Sequence, residues 1–167
     1  IRVETGGGLA FDVLPDRALD IGAMTFRGVP LGWISPTGFP APAFAAQRGA
    51  EWLRGFGGGM LTTCGLDAFG PASADADGEY PMHGRVSSTP ATVSRIEVGA
   101  SEIVIEGEVR QARVFGENLV LRRRISVDIG SSIVRVDDTV TNEDHRAVGH
   151  MVLYHCNLGW PLISEAA

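Results

Sequence analysis

The sequence predicts a mainly antiparallel β fold, a β-sandwich with at most one or two short helices. Three observations predict it. From Thr92 to Asn142 the apolar residues recur with a period of two. Turn residues at Gly99-Ala100, Gly116-Glu117-Asn118 and Gly130-Ser131 cut that run into successive strands. There is no alternation of strand and long helix, and no internal repeat. Strands joined by short turns form a meander, and one this long needs a second layer to cover its apolar face. The 167 residues suffice for one domain, 1–167, with a genuine core.

The first third is short apolar runs broken by turn residues. Leu9 to Leu14 alternates in part and stops at Pro15-Asp16. Arg17 to Phe26 reads as another strand region, with Leu19, Ile21 and Met24 as core candidates, before a turn at Arg27-Gly28. Leu31 to Ile34 is a short apolar run closed by Ser35-Pro36-Thr37-Gly38. Residues 39–42, Phe-Pro-Ala-Pro, are excluded from a central strand because proline lacks the ladder donor. Residues 43–54 are the clearest helix: Ala43, Ala45, Ala46, Ala50 and Leu53 favour it, Phe44 and Trp52 lie close to one face, and Gly55 ends it.

Gly57-Gly58-Gly59 leads into Met60-Leu61-Thr62-Thr63-Cys64-Gly65-Leu66. It lacks the Gly-Lys-Ser/Thr of a phosphate loop and the order of a dinucleotide site, so close backbone packing is the expected use of these glycines. Residues 70–80 are a polar loop. Its Asp75-Ala76-Asp77-Gly78 lacks the remaining ligands of a calcium loop. The meander follows: Val93, Ile96 and Val98; Ile103, Ile105 and Val109; Leu119, Leu121, Ile125 and Val127; then residues 133–142. Arg122-Arg123-Arg124 falls inside the third strand, so the three side chains should not all point one way.

Composition narrows the function. Hydrophobic residues make up 44% and charged residues 20%, as in an ordinary globular protein, and the net charge is −6. No concentrated cationic face is present, which argues against nucleic acid. No apolar stretch is long enough to span a bilayer. Cys64 and Cys156 are too few and too isolated for a disulfide framework or a zinc site, so reduced thiols and a cytoplasmic location are expected. The chain opens at Ile1 inside a strand-like run, so the native N-terminus is expected to lie further upstream and the lack of a signal peptide says little.

The candidate chemistry lies in the histidines. His145 sits in a charged turn and reads as a surface residue. His150 and His155 are five positions apart, so a regular strand points them to opposite faces and away from a shared metal; no metal and no cofactor are expected. His83 and His155 are each followed by small or polar residues that let a ligand approach: Gly84 after one, Cys156-Asn157 after the other. Imidazole can donate or accept a proton near neutral pH. Against this stands the plain alternative of a buried or rim histidine held only by hydrogen bonds.

Four segments in order carry a resemblance: Pro15-Asp16-Arg17-Ala18-Leu19-Asp20-Ile21-Gly22, with Ala18 where glycine is expected; Gly58-Gly59-Met60-Leu61-Thr62-Thr63-Cys64-Gly65-Leu66; Met82-His83-Gly84-Arg85; and Leu153-Tyr154-His155-Cys156-Asn157-Leu158-Gly159. Together they resemble the galactose mutarotase-like superfamily of aldose 1-epimerases, in particular its DUF4432-type family of unknown function. The resemblance implies a large sandwich with a sugar in a groove on one sheet, interconverted between anomers by acid–base ring opening. His155 would be the acid, and His83 would orient the sugar. Arg17, a fixed fork of donors, would bind its hydroxyls, with Asn157 bracing the site. The glutamate base would lie beyond Ala167, so the chain reads as the N-terminal and central part of a larger sandwich. The alternative is a carbohydrate-binding or sensor protein on the same fold. The sugar, the anomer preference and the oligomeric state stay open.

Overall fold

A computed structural model describes residues 1–44, 47–76 and 78–165. Among the described residues are twelve strands: β1 (Arg2–Glu4), β2 (Leu9–Leu14), β3 (Asp20–Phe26), β4 (Val29–Pro30), β5 (Thr62–Leu66), β6 (Ser73–Ala74), β7 (Glu79–Tyr80), β8 (Thr92–Val98), β9 (Glu102–Ala112), β10 (Asn118–Asp128), β11 (Val134–Asn142) and β12 (Met151–His155). The strands pair antiparallel in orders β1-β2-β3-β4, β11-β10-β9-β8, β12-β5 and β6-β7. The protein is mainly β, as its patterning requires.

Alternation decides which faces meet. Phe11 and Val13 of β2 and Ile21 and Met24 of β3 pack with Ile103 and Ile105 of β9 and Ile125 and Val127 of β10. The two four-stranded sheets therefore lie face to face over one apolar layer. A second cluster joins Ala18, Leu66, Val86, Val109, Leu119 and Leu121. Burial of each of the larger apolar side chains stabilises the fold by about 1.5–3 kcal/mol.

Residues 43–54 differ from the single helix expected. Their described parts are two 3₁₀ segments, Pro42–Phe44 and Glu51–Arg54, and the expectation for Ala45 and Ala46 lies outside the described residues. Gly49 takes φ 51° between the two segments, a left-handed conformation that no helix continues through. Propensity alone does not hold a helix this short.

The glycine run packs as expected. A Cβ on Gly58 would collide with the Trp33 carbonyl. Bridges Ile21–Leu61, Ile34–Gly58 and Gly32–Leu158 stitch the run and the C-terminal segment to the first sheet. Ala18, which stands where glycine was expected, takes φ 55°. Its N–H donates to the Thr89 carbonyl at 3.0 Å, and this anchors the unfavourable conformation.

A buried ionic centre ties the layers together. Inward positions of β10 read Leu119, Leu121, Arg123, Ile125 and Val127, and the Arg123 side chain is 0% exposed. Its Nη1 donates to Asp20 Oδ1 at 2.8 Å and to the Ala18 carbonyl at 3.1 Å. Its Nη2 donates to Thr63 Oγ1 and to Asp138 Oδ2, each at 2.7 Å, and its Nε to Asp138 Oδ1 at 2.8 Å. Thr63 in turn donates its hydroxyl (2.6 Å) and its N–H (2.9 Å) to Asp20. Burial works to lower the Arg123 pKa, and the bonds and charges of Asp138 and Asp20 outweigh it and raise it. Arg122 and Arg124 point to the other face and pair with Glu143 and Glu102.

Candidate functional site

β5 and β12 form the platform of the site. They pair from Met151–Leu66 to His155–Thr62, and the Arg123 centre holds both strands. Thr63 of β5 bonds it directly, and Tyr154 of β12 donates to Asp138 Oδ2 at 2.7 Å. Period two then turns His155 away from its neighbour Tyr154. Asn157 fixes the strand's exit: its Nδ2 donates to the Gly59 carbonyl at 2.8 Å and to the His155 carbonyl at 3.1 Å.

His83 arrives from a different direction. It sits in the turn after β7 with φ 58°, strained for a residue with a side chain. Its N–H donates to the Gly70 carbonyl at 2.9 Å, and Gly65 N–H donates to the His83 carbonyl at 3.1 Å. The bridge Gly65–Gly84 docks this turn on β5. A Cβ on Gly84 would collide with the Gly65 carbonyl, so only glycine permits the approach.

The two imidazoles meet. Their centroids are 5.9 Å apart and their planes 89° to one another. Trp52 lies 4.6 Å from His83 and 6.4 Å from His155, and Phe56 lies 5.2 Å from His155. Trp52 stacks on Phe56 at 4.2 Å, and Trp33 follows at 6.0 Å. Trp52 Nε1 donates to Ser87 Oγ at 3.0 Å, which sets the indole's orientation.

The proton state of His83 follows from these neighbours. Gly70 N–H donates to Nδ1 at 3.3 Å, so Nδ1 is an acceptor and the proton of the neutral ring sits on Nε2. Burial pushes the imidazole below its ordinary value of 6.5, and the charge of His155 adds to the shift. Among the described residues, no carboxylate bonds either of these two imidazoles.

The other singled-out residues have structural partners. Arg17 is buried and donates from Nη1 to the Gly55 carbonyl at 3.1 Å and from Nη2 to the Pro40 carbonyl. It holds the two ends of the loop that carries Trp52. Burial lowers its pKa, opposed by the charges of Asp16 and Asp20. Arg17, Asp20, Trp52 and Thr62 line a cavity of only about 30 Å³, room for about one water. The half-buried imidazoles of His83 and His155 do not line this cavity. His150 Nδ1 bonds the Leu66 carbonyl at 2.9 Å, and the exposed His145 lies 2.7 Å from Asp144. Cys64 and Cys156 are unpaired, and burial, aided by the charge of Asp20, pushes the Cys64 thiol up to about 12. Among the described residues no cluster of three metal-ligating side chains occurs, and no helix is long and apolar enough to cross a membrane.

Sequence reasoning missed Trp52 and Phe56: it reads Trp52 only as a helix residue and does not single out Phe56. Two aromatics flanking Gly55 just before a glycine run were the available signal. It also missed the partners of Arg123. An arginine on the inward stripe of an apolar strand requires a buried carboxylate, and Asp20 and Asp138 are there to meet it.

Two packed antiparallel sheets define a β-sandwich, with the His83–His155 pair beside the β5–β12 unit. The comparisons give the family: a model described as "Domain of unknown function (DUF4432)" matches residues 1–167, and the chain belongs to that family. Among solved structures it is similar to a protein described as a "putative aldose 1-epimerase" from Klebsiella pneumoniae subsp. pneumoniae MGH 78578. The two are 27% identical with a TM-score of 0.88, over 98% of this chain and 44% of that one. The Slr1438 protein from Synechocystis sp. PCC 6803 shares the fold at 12% identity and a TM-score of 0.69, over 94% of this chain and 53% of that one. The chain thus spans about half the length of these structures. No curated protein matches.

Proposed function

We propose that this chain carries the histidine pair of an aldose 1-epimerase-like sugar site, and that the whole protein interconverts sugar anomers without a cofactor. The observation that carries this reading is the perpendicular approach of His83 and His155, 5.9 Å between centroids, against the wall of Trp52 and Phe56. His155 is the general acid. It delivers its proton to the ring oxygen as the bond from that oxygen to the anomeric carbon breaks. A carboxylate base, which no described residue places at the imidazoles, removes the proton of the anomeric hydroxyl, leaving an open-chain aldehyde. Rotation about the bond from the carbonyl carbon to C2 and reversal of both proton transfers close the ring as the other anomer. His83, neutral and bearing its proton on Nε2, donates a hydrogen bond to the sugar and positions it. Arg17 and Asn157 support binding through the segments they hold, 40–55 and 59–155. A role in carbohydrate metabolism in the cytoplasm belongs to the same proposal.

Saturation-transfer NMR of α/β exchange across a panel of aldoses tests it. In the whole protein, His155→Ala should lower kcat by about 10²- to 10⁴-fold with a smaller effect on binding, because proton delivery matters most in the transition state. His83→Ala and Arg17→Ala should weaken binding as well. The 167-residue chain by itself should bind sugar weakly and add no exchange above background. Full activity in His155→Ala, or in the chain alone, would overturn the mechanism. The second reading is a carbohydrate-binding or sensor protein on the same fold. Sugar binding by the whole protein with no anomer exchange would select it.

A further inference from the structure

A second cavity, of about 480 Å³, opens where the end of β5, the 79–85 segment, the ends of β9 and β10 and residues 146–149 meet. Its size falls within the range of small-molecule sites. None of Trp33, Trp52, Phe56, His83 or His155 lines it, so it is separate from the histidine site.

Two of its wall residues present buried polar atoms without a partner, Gln111 Nε2 and Asp67 Oδ1. The orientation of the Gln111 amide is settled by Leu66, whose N–H donates to Gln111 Oε1 at 3.2 Å. The unpartnered end is therefore the donor. Asp67 Oδ2 accepts from Arg85 Nη1 at 2.9 Å, and the carboxylate is only 7% exposed. Its remaining oxygen is an acceptor. Leu66, which holds Gln111 Oε1, directly precedes Asp67, so Gln111 and Asp67 are neighbours on the wall. Buried polar groups in folded proteins nearly always find partners. Hydroxyl groups suit both, since a hydroxyl can accept from the amide and donate to the carboxylate.

Charge argues for a neutral ligand. The guanidinium groups around the cavity are already paired: Arg85 with Asp67, Arg110 with Glu143 at 2.8 Å, Arg113 with Glu117 at 3.3 Å and Arg146 with Asp144 at 3.6 Å. Glu79, also on the wall, has no ion pair among the described residues. An anion would meet that carboxylate with no free cation to offset it. Ala112, Ala147 and Val148 add an apolar strip suited to the C–H face of a ring.

We propose that this cleft is a second binding site, for a neutral hydroxyl-rich ligand of the sugar or polyol class, anchored by Gln111 Nε2 and Asp67 Oδ1. It goes beyond the histidine site and stands or falls separately from it. The test is an NMR titration of the whole protein with a panel of hexoses, with sorbitol, and with inorganic phosphate as the anionic control. The reporters are the Gln111 side-chain amide protons and the Gly149 backbone amide. Gly149→Trp fills the cleft, and a Cβ there meets nothing within 4 Å, so the fold tolerates it. His83→Ala is the control at the other site. Expected are saturable shifts of both reporters with at least one hexose or with sorbitol, affinity lost at least tenfold in Gly149→Trp, and affinity kept in His83→Ala. Three results would each overturn the proposal: no saturable shift of the Gln111 amide with any neutral probe, equal affinity in Gly149→Trp, or stronger shifts with phosphate. Shifts at His83 and Trp52 bear only on the histidine site.

Discussion

The Arg123 centre and the histidine rim are both polar clusters built from residues far apart in sequence, yet they obey different physics. Arg123 is fully enclosed, and its guanidinium donates five bonds, to two carboxylates, a hydroxyl and a backbone carbonyl. His83 is half-buried, and its side chain has one hydrogen bond, the contact from Gly70; the rings around it give the pair shape rather than saturation. The first cluster is satisfied and rigid, and it holds β5 and β12 in place. The second keeps bonding capacity for a ligand. Tyr154 and His155, adjacent on β12, belong one to each cluster. The strand's alternation therefore couples a structural anchor to a candidate chemical group.

The largest break in this contrast should come from Arg123→Met. It strands Asp20 and Asp138 without their cation, and removing one member of a buried ion network costs about 3–5 kcal/mol. Urea denaturation followed by circular dichroism should show that loss. A change below 1 kcal/mol would mean the centre adds little beyond packing. Asp138→Asn, which keeps the shape, should lose less and still report on the same centre.

His155→Ala should behave in the opposite way. Its stability cost should stay near that of one ring contact, about 1 kcal/mol, while its effect on anomer exchange in the whole protein is the large one stated above. A variant that unfolds instead would place His155 with the structural cluster. Tyr154→Phe probes the junction between the two. It removes one hydrogen bond to Asp138, worth about 1 kcal/mol, and should leave sugar binding unchanged. Burial, with the bond to Asp138 adding to it, pushes the Tyr154 hydroxyl up to about 12, so the ultraviolet titration difference between the native protein and Tyr154→Phe should show no Tyr154 tyrosinate below pH 10. Its appearance near 10 would mean the junction is open to water.

A pH series sharpens the comparison further. His83 is held below 6.5 in the fold, so the unfolded chain binds its proton first as the pH falls. Stability should be full above about 6.5, fall through the window beneath it, and level off below the folded value. His83→Asn should flatten that window. Trp52→Ala should return the imidazole toward its ordinary value, read by ¹⁵N-detected titration. A His83 titrating at or above 6.5 in the native protein would remove the reason for treating it as the neutral member of the pair. The smallest effect belongs to an exposed ion pair on the far sheet: Arg95→Ala, which breaks contacts to Glu97 and Glu106, should not change stability measurably.

Much of this was legible before any coordinates. Period two, turn residues and the absence of strand–helix alternation determined the antiparallel meander, because a pleated strand with one buried face must alternate. The same rule separated Arg123 from Arg122 and Arg124. The order of four short motifs pointed to the family and singled out His83 and His155. Local pattern misjudged residues 43–54, where alanine content suggests one helix and a left-handed Gly49 divides the described segment into two short turns.

Tertiary structure alone decided the rest. Which carboxylates meet Arg123, that Trp52 and Phe56 wall the imidazoles, and that Arg17 turns to backbone carbonyls all depend on contacts between residues dozens of positions apart. Alternation says which face a side chain takes, and it carries no information about what another sheet places opposite. That choice is made by the packing of β3, β5 and β10 around one buried cation. The desolvation penalty of an unpaired charge leaves few other ways for these three strands to meet.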